Sequence, residues 1–113
     1  MLPREHRLKK ETEIKKLFQK GKGVFDVFVG VKFRKNDMNV SRFVVVVGTK
    51  VHKRAYKRNR IRRRVRSVLK EHIAQIAPGF DIAIIAKPDA LTASFDELTR
   101  SVVSALRRAK LHE

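Results

Sequence analysis

Between Lys50 and Lys70 the chain reads KVHKRAYKRNRIRRRVRSVLK, with eleven Lys or Arg and no acidic residue. Like charges at this density repel, and a bare run of them stays an unfolded tail. This run is not bare. Ile61, Val65, Val68 and Leu69 recur in steps of three and four, and the pattern continues through Ile73 and Ile76. On a helix such spacing makes one apolar stripe. The block therefore reads as a helix docked on a core by that stripe, with its arginines held on the outside. A fixed array of positive charge needs a polyanion, and nucleic acid is the obvious one.

The polar side of this helix is ordered as well. Asn59, Arg62, Arg63 and Arg66 stand at i, i+3, i+4 and i+7 and share one side. Lys57, Arg60 and Arg64 form a second row on the other flank. Lys50, Lys53, Arg54 and Arg58 add charge at the start of the block. A merely solvated basic face is the plain alternative, but so many like charges repel unless a partner neutralises them.

The rest of the chain supplies the core. Its 113 residues suit a single domain, and 42% of them are hydrophobic, enough to fold. The 28 Lys and Arg against 11 Asp and Glu leave a net charge of +17, which suits RNA, DNA or an anionic membrane. No apolar run approaches the roughly 20 residues of a spanning helix, and the charged N-terminus lacks a signal peptide's apolar segment. With no cysteine there is neither a disulfide framework nor a thiolate metal site. A cytoplasmic protein without membrane partners is expected.

Periodicity gives the elements. Ile14, Leu17 and Phe18 predict a first helix over 11–20, with Gly21 as its stop. Val24 to Arg34 reads as a strand with Phe25, Val27, Val29, Val31 and Phe33 on one face. Arg42 to Lys50 reads as a second strand, antiparallel to the first; its Phe43–Val47 center is apolar on both faces, as in mid-sheet. The basic helix runs from about Tyr56 to Ala77, and Pro78-Gly79 ends it. Phe80 to Ala86 is a buried strand, parallel to its predecessor across the helix. Ser94 and Glu97 form a capping box for a last helix whose core face is Leu98, Val102, Ala105, Leu106 and Ala109. The order α-β-β-α-β-α predicts a small α+β domain with a mixed sheet packed by helices.

Catalytic chemistry is absent from the pattern. His6, His52, His72 and His112 are scattered, and there is no glycine-rich phosphate loop or nucleophile motif. The acidic residues show no tight cluster for Mg²⁺. No residue is expected to be catalytic or to bind a metal or cofactor, and the chain reads as a binder.

Arg58-Asn59-Arg60, followed by Ile61, Arg62, Arg63 and Arg66 and preceded by Lys50, resembles the signature of the bacterial ribonuclease P protein subunit. The likeness extends over most of the chain: Leu2-Pro3, Arg7-Leu8, Leu17-Phe18 before Gly21, and Phe80-Asp81 fall in that family's order. Lys53-Arg54-Ala55 departs from it, where many members carry Gly-Asn-Ala. The resemblance implies a left-handed β-α-β crossover, against the general right-handed rule. It also implies two partners, the catalytic RNA subunit and precursor tRNA with its 5′ leader, with Mg²⁺ needed by the RNA-containing holoenzyme. The matching leader cleft is expected at Ile14, Phe18, Val29 and Val31, beside Asn59. Several members carry aromatic residues where this chain has Ile14 and Val31, so leader binding is expected to lean on Phe18 and the backbone charges. The Asn59 row is expected to border that cleft and the Arg60 row to face the RNA subunit. A structural RNA-binding protein, such as a small ribosomal protein, is the alternative; a small protein nuclease would need the missing carboxylate cluster.

Overall fold

The computed structural model describes residues 2–113. After a 3-10 turn at Arg4–His6, the chain forms α1 (Glu11–Lys20), β1 (Lys22–Phe25), β2 (Val29–Lys35), β3 (Arg42–Val46), α2 (Ala55–His72), β4 (Phe80–Ala86) and α3 (Phe95–Arg108). Further 3-10 turns follow α2 at Ile73–Gln75 and β4 at Pro88–Leu91. The four strands form one sheet in the order β1-β2-β4-β3. β4 lies antiparallel to β2 and parallel to β3.

Alternation along the strands sorts side chains between two layers. Val29, Val31, Phe43, Val45, Ile82 and Ile84 point to one face, where they form the main core with the stripes of α2 and α3. Ala83 and Val44 point to the other, where Leu8 and α1's Leu17, Ile14 and Phe18 cover them. At the start of α3 both halves of the predicted capping box are made: the Ser94 side chain accepts from the Glu97 N–H, and Glu97 returns to the Ser94 N–H.

The hand of the β3–α2–β4 crossover follows from the chirality of its residues. On a strand running upward, an L-residue whose side chain faces the observer points its N–H and C=O to the right. Phe43 faces the core beneath α2, and its carbonyl accepts from the Leu8 N–H at 2.9 Å. Seen from α2, the N-terminal segment therefore lies to the right of β3, and β4 to its left. A chain that climbs β3, descends in front through α2 and re-enters on the left makes a left-handed unit. That is the minority hand, since about 98% of such connections are right-handed.

Five sequence expectations change. The strand expected over 24–34 is a hairpin, because the chain reverses at Asp26–Phe28. Both arms alternate with period two, so the pattern does not show the reversal. β3 ends at Val46, not Lys50, and it is an edge strand rather than a central one. The crossover inserts β4 between β2 and β3, which therefore do not pair. β3 is apolar on both faces because α1 covers Val44 and residues 7–8 close its outer edge, with Arg7 bridged to Phe43. The basic helix stops at His72, where the tighter 3-10 turn takes over.

Two polar clusters fix the layers. Arg42 of β3 forks onto Asp81 of β4, with Nε to Oδ1 at 2.9 Å and a terminal nitrogen to Oδ2 at 2.8 Å. The same guanidinium pairs with Glu13 of α1. Helix and sheet are thus tied by one half-buried cation, whose hydrogen bonds hold the Glu13 carboxyl below its ordinary value. At the other end, Asp26 accepts from the hydroxyls of Ser101 (2.8 Å) and Ser104 (2.9 Å) on α3, and from Arg108 (3.2 Å). Burial alone would raise the Asp26 carboxyl, but hydrogen bonds from the Val27 N–H, Ser101, Ser104 and Arg108 outweigh it and leave the group below the usual aspartate range.

Asp81→Ala leaves Arg42 half-buried with Glu13 alone. A loss of about 3 kcal/mol is expected in urea unfolding, at unchanged denaturant slope. For Asp26 the pH dependence has a definite sign. The unfolded chain's aspartates protonate near pH ~3.9, and folded Asp26 does so only at lower pH. Its contribution is therefore present above that value and lost as pH falls through the folded one. In urea midpoints taken between about pH 2 and 5, Asp26→Asn should flatten this acid limb.

Candidate nucleic-acid interface

Helix α2 forms against its local electrostatics. No side chain caps its N-terminus at Arg54, and its first turn holds no acidic residue. Arg54, Lys57 and Arg58 instead crowd the positive end of the helix dipole, an unfavourable placement. The stripe on the opposite face opposes this. Val65, Val68 and Leu69 are fully buried and Ile61 nearly so, each stabilising the docked helix by about 1.5–3 kcal/mol. The charges are displayed because the stripe is anchored.

The two basic rows meet different neighbours. In the Asn59 row, Arg62 donates to the Asn59 side-chain oxygen and, at 3.4 Å, to the Val47 carbonyl just past β3. Burial, followed by repulsion from Arg58 and Arg66, holds the Arg62 guanidinium below its ordinary value; it remains a cation at any physiological pH. One turn on, Arg66 lines a groove with Arg7, Leu8 and Lys9 of the N-terminal segment and Phe43–Val45 of β3. Arg63 of this row is exposed. On the opposite flank, Lys57, Arg60 and Arg64 line a groove with Leu91–Ser94, the approach to α3.

The loop before α2 is held by the motif itself. One Arg58 nitrogen donates to the carbonyls of His52 (3.0 Å) and Lys53 (2.7 Å), and the Arg54 N–H donates to the His52 ring (3.0 Å). Arg58 thus spends part of its guanidinium on the loop, and Lys50, Lys53 and Arg54 stay exposed beside it.

The expected cleft residues do not come together. Ile14 and Phe18 of α1 lie half-buried on the outer face of the sheet. Val29 and Val31 are 0% and 1% exposed in the main core on the opposite face, which removes them from any cleft that α1 borders. The β2 residues on α1's side are their neighbours Gly30 and Lys32, and the Lys32 ammonium donates to the Phe18 carbonyl at 3.1 Å. A strand's two faces differ by one residue, and the periodicity of 24–34 carries no mark of which face is covered. The tandem of Lys32 with the end of α1 had no sequence signal of its own.

The carboxylates offer no open ligand set. Asp26, Glu13 and Asp81 are engaged with cations or hydroxyls. Among the described residues no group of three or more His, Cys, Asp or Glu could hold a metal ion, and no helix is long and apolar enough to cross a membrane.

The model of the family described as Ribonuclease P matches residues 2–110. The ribonuclease P protein component of Synechococcus elongatus is 32% identical over 97% of this chain and 94% of its own length. That of Clostridioides difficile is 30% identical over 92% and 91%. Among solved structures, the Staphylococcus aureus RNase P protein superposes with a TM-score of 0.88 at 27% identity, covering 96% of this chain and 98% of that one. The RNase P protein from Thermotoga maritima gives 0.83 at 29% identity, covering 90% and 96%.

Proposed function

Since the chain belongs to the ribonuclease P protein family, as the protein component of an RNA-containing endoribonuclease, we propose that it serves the holoenzyme by holding two RNAs at once. The Arg60 row meets the catalytic RNA subunit. The Asn59 row, with Lys50, Lys53 and Arg54, guides the 5′ leader of precursor tRNA toward the sheet face beside Ile14, Phe18 and Lys32. One observation carries this reading: the rows lie on opposite flanks of a docked helix, one against β3 and the N-terminal segment, the other against the approach to α3. A protein that bridges two polyanions needs two such surfaces.

In this reading the RNA cuts the leader and the protein positions it, in the cytoplasm. Mg²⁺ belongs with the RNA in this reading; Glu13, Asp26 and Asp81 of this chain are engaged with arginines and hydroxyls. The ribosomal-protein alternative finds no support among the relatives.

The chain alone should leave precursor tRNA intact, while its addition should let the RNA subunit cleave at low Mg²⁺. Arg62→Ala with Arg66→Ala should weaken binding of long-leader substrate far more than of substrate with a very short leader. Arg60→Ala with Arg64→Ala should weaken assembly with the RNA subunit at every leader length. Equal losses in both assays would make the helix one undivided anion-binding face. In a salt titration, neutralising about six phosphates gives a log–log slope of roughly −4 to −5, and a flat binding constant would show that charge does not hold the RNA.

A further inference from the structure

The strand register builds a second feature on the outer face of the sheet. Phe25 lies opposite Gly30, Gly30 opposite Ile85, and Ile85 opposite Val46. These four form one row across all four strands, on the face that α1 shares. Helix α1 packs on the next row, over Ala83 and Val44, and leaves this row as an apolar strip. Its length is three strand spacings, about 14 Å, room for two or three unpaired nucleotides.

The two ends of the strip differ. At β3, Val46 precedes the Val47 carbonyl that Arg62 holds. At β1, Phe25 is 65% exposed, the largest exposure of a big apolar side chain among the described residues. Its ring lies across Gly30: a Cβ added there would come within 2.9 Å and 3.0 Å of two ring carbons. Glycine thus admits the ring against the backbone and leaves the ring's outer side open. The platform is also held in place. Arg108 caps the Phe25 carbonyl at 2.6 Å, and the next residue, Asp26, is pinned to α3. On the same face lies Lys32, one alternation along the neighbouring strand.

We propose that Phe25 is a base-stacking platform at the far end of this strip, taking one unpaired nucleobase of the leader after the chain of nucleotides has passed Asn59 and Arg62. The inference rests on the leader-cleft reading and extends it across the sheet. An open aromatic face on a sheet, with cations on either side, is the chemistry that binds single-stranded RNA without a sequence code. The remaining role for such a ring is to cover the glycine opposite it, and that role needs only bulk.

The test uses holoenzyme reconstituted with the RNA subunit, and precursor tRNAs whose leaders are shortened stepwise or carry single abasic sites. With the unchanged protein, one leader position should cost about tenfold in affinity when abasic. Phe25→Ala should cost about the same with an intact leader, and nothing more when that position is abasic. Phe25→Trp should retain affinity. Phe25→Leu keeps an apolar cover over Gly30 without an aromatic face, and should bind like Phe25→Ala while melting like the parent. Leucine binding as well as phenylalanine, or an equal loss at every leader length, would overturn the platform and leave the cleft reading standing. Affinity independent of leader length in the unchanged holoenzyme would overturn the cleft reading, and the platform with it.

Discussion

The structure depends on a contest within α2 between burial of one stripe and repulsion along the other faces. Ile61, Val65, Val68 and Leu69 leave water almost completely. At about 1.5–3 kcal/mol each, they contribute on the order of 6–12 kcal/mol. A pair of like charges in water costs about 1 kcal/mol at 4 Å, and salt screens the more distant pairs. Burial therefore wins, and it does so without neutralising any charge. The unfavourable N-terminus persists for the same reason: helix stability is supplied from below, so the exposed side is free to be arranged for a polyanion.

The helical parts of this fold were legible because their signals are local. The stripe of α2, the short face of α1 and the Ser94–Glu97 box each lie within a few turns of chain. The parallel relation of β3 and β4 followed from the helix between them. What the sequence concealed is non-local. The reversal at Asp26 depends on donors to its carboxylate from Ser101, Ser104 and Arg108, more than seventy residues away. The place of β4 between β2 and β3 depends on the hand of a crossover.

The misplacement of Val29 and Val31 shows how far such an error travels. A period-two pattern gives two sets of residues but not which set faces a helix. Once the hairpin is recognised, Phe25 exchanges sides with the valines, and the outer face acquires Gly30 and Lys32. The basic rows were legible down to their individual residues because α2 is one uninterrupted helix. The face of the sheet was not, because its register is fixed by contacts made elsewhere. Arg42 illustrates the same dependence: its partners, Glu13 and Asp81, come from opposite sides of it in the chain.

The sheet order has a consequence for how the protein is made. Of its two inner strands, β4 is the last strand in the sequence. During synthesis β2 emerges well before β4, and β3 is followed by all of α2 before its neighbour exists. Translation proceeds at about 5–20 residues per second. Between the end of α2 and the end of β4, about 1–3 s at that rate, the nascent chain carries two apolar strands whose shared partner has not been made, alongside a basic segment that already bears its full load of positive charge. Mutual repulsion between such chains, and attraction to whatever RNA lies near the ribosome, would act before the sheet can close. The topology thus offers the basic segment to nucleic acid before the core that will anchor it is complete.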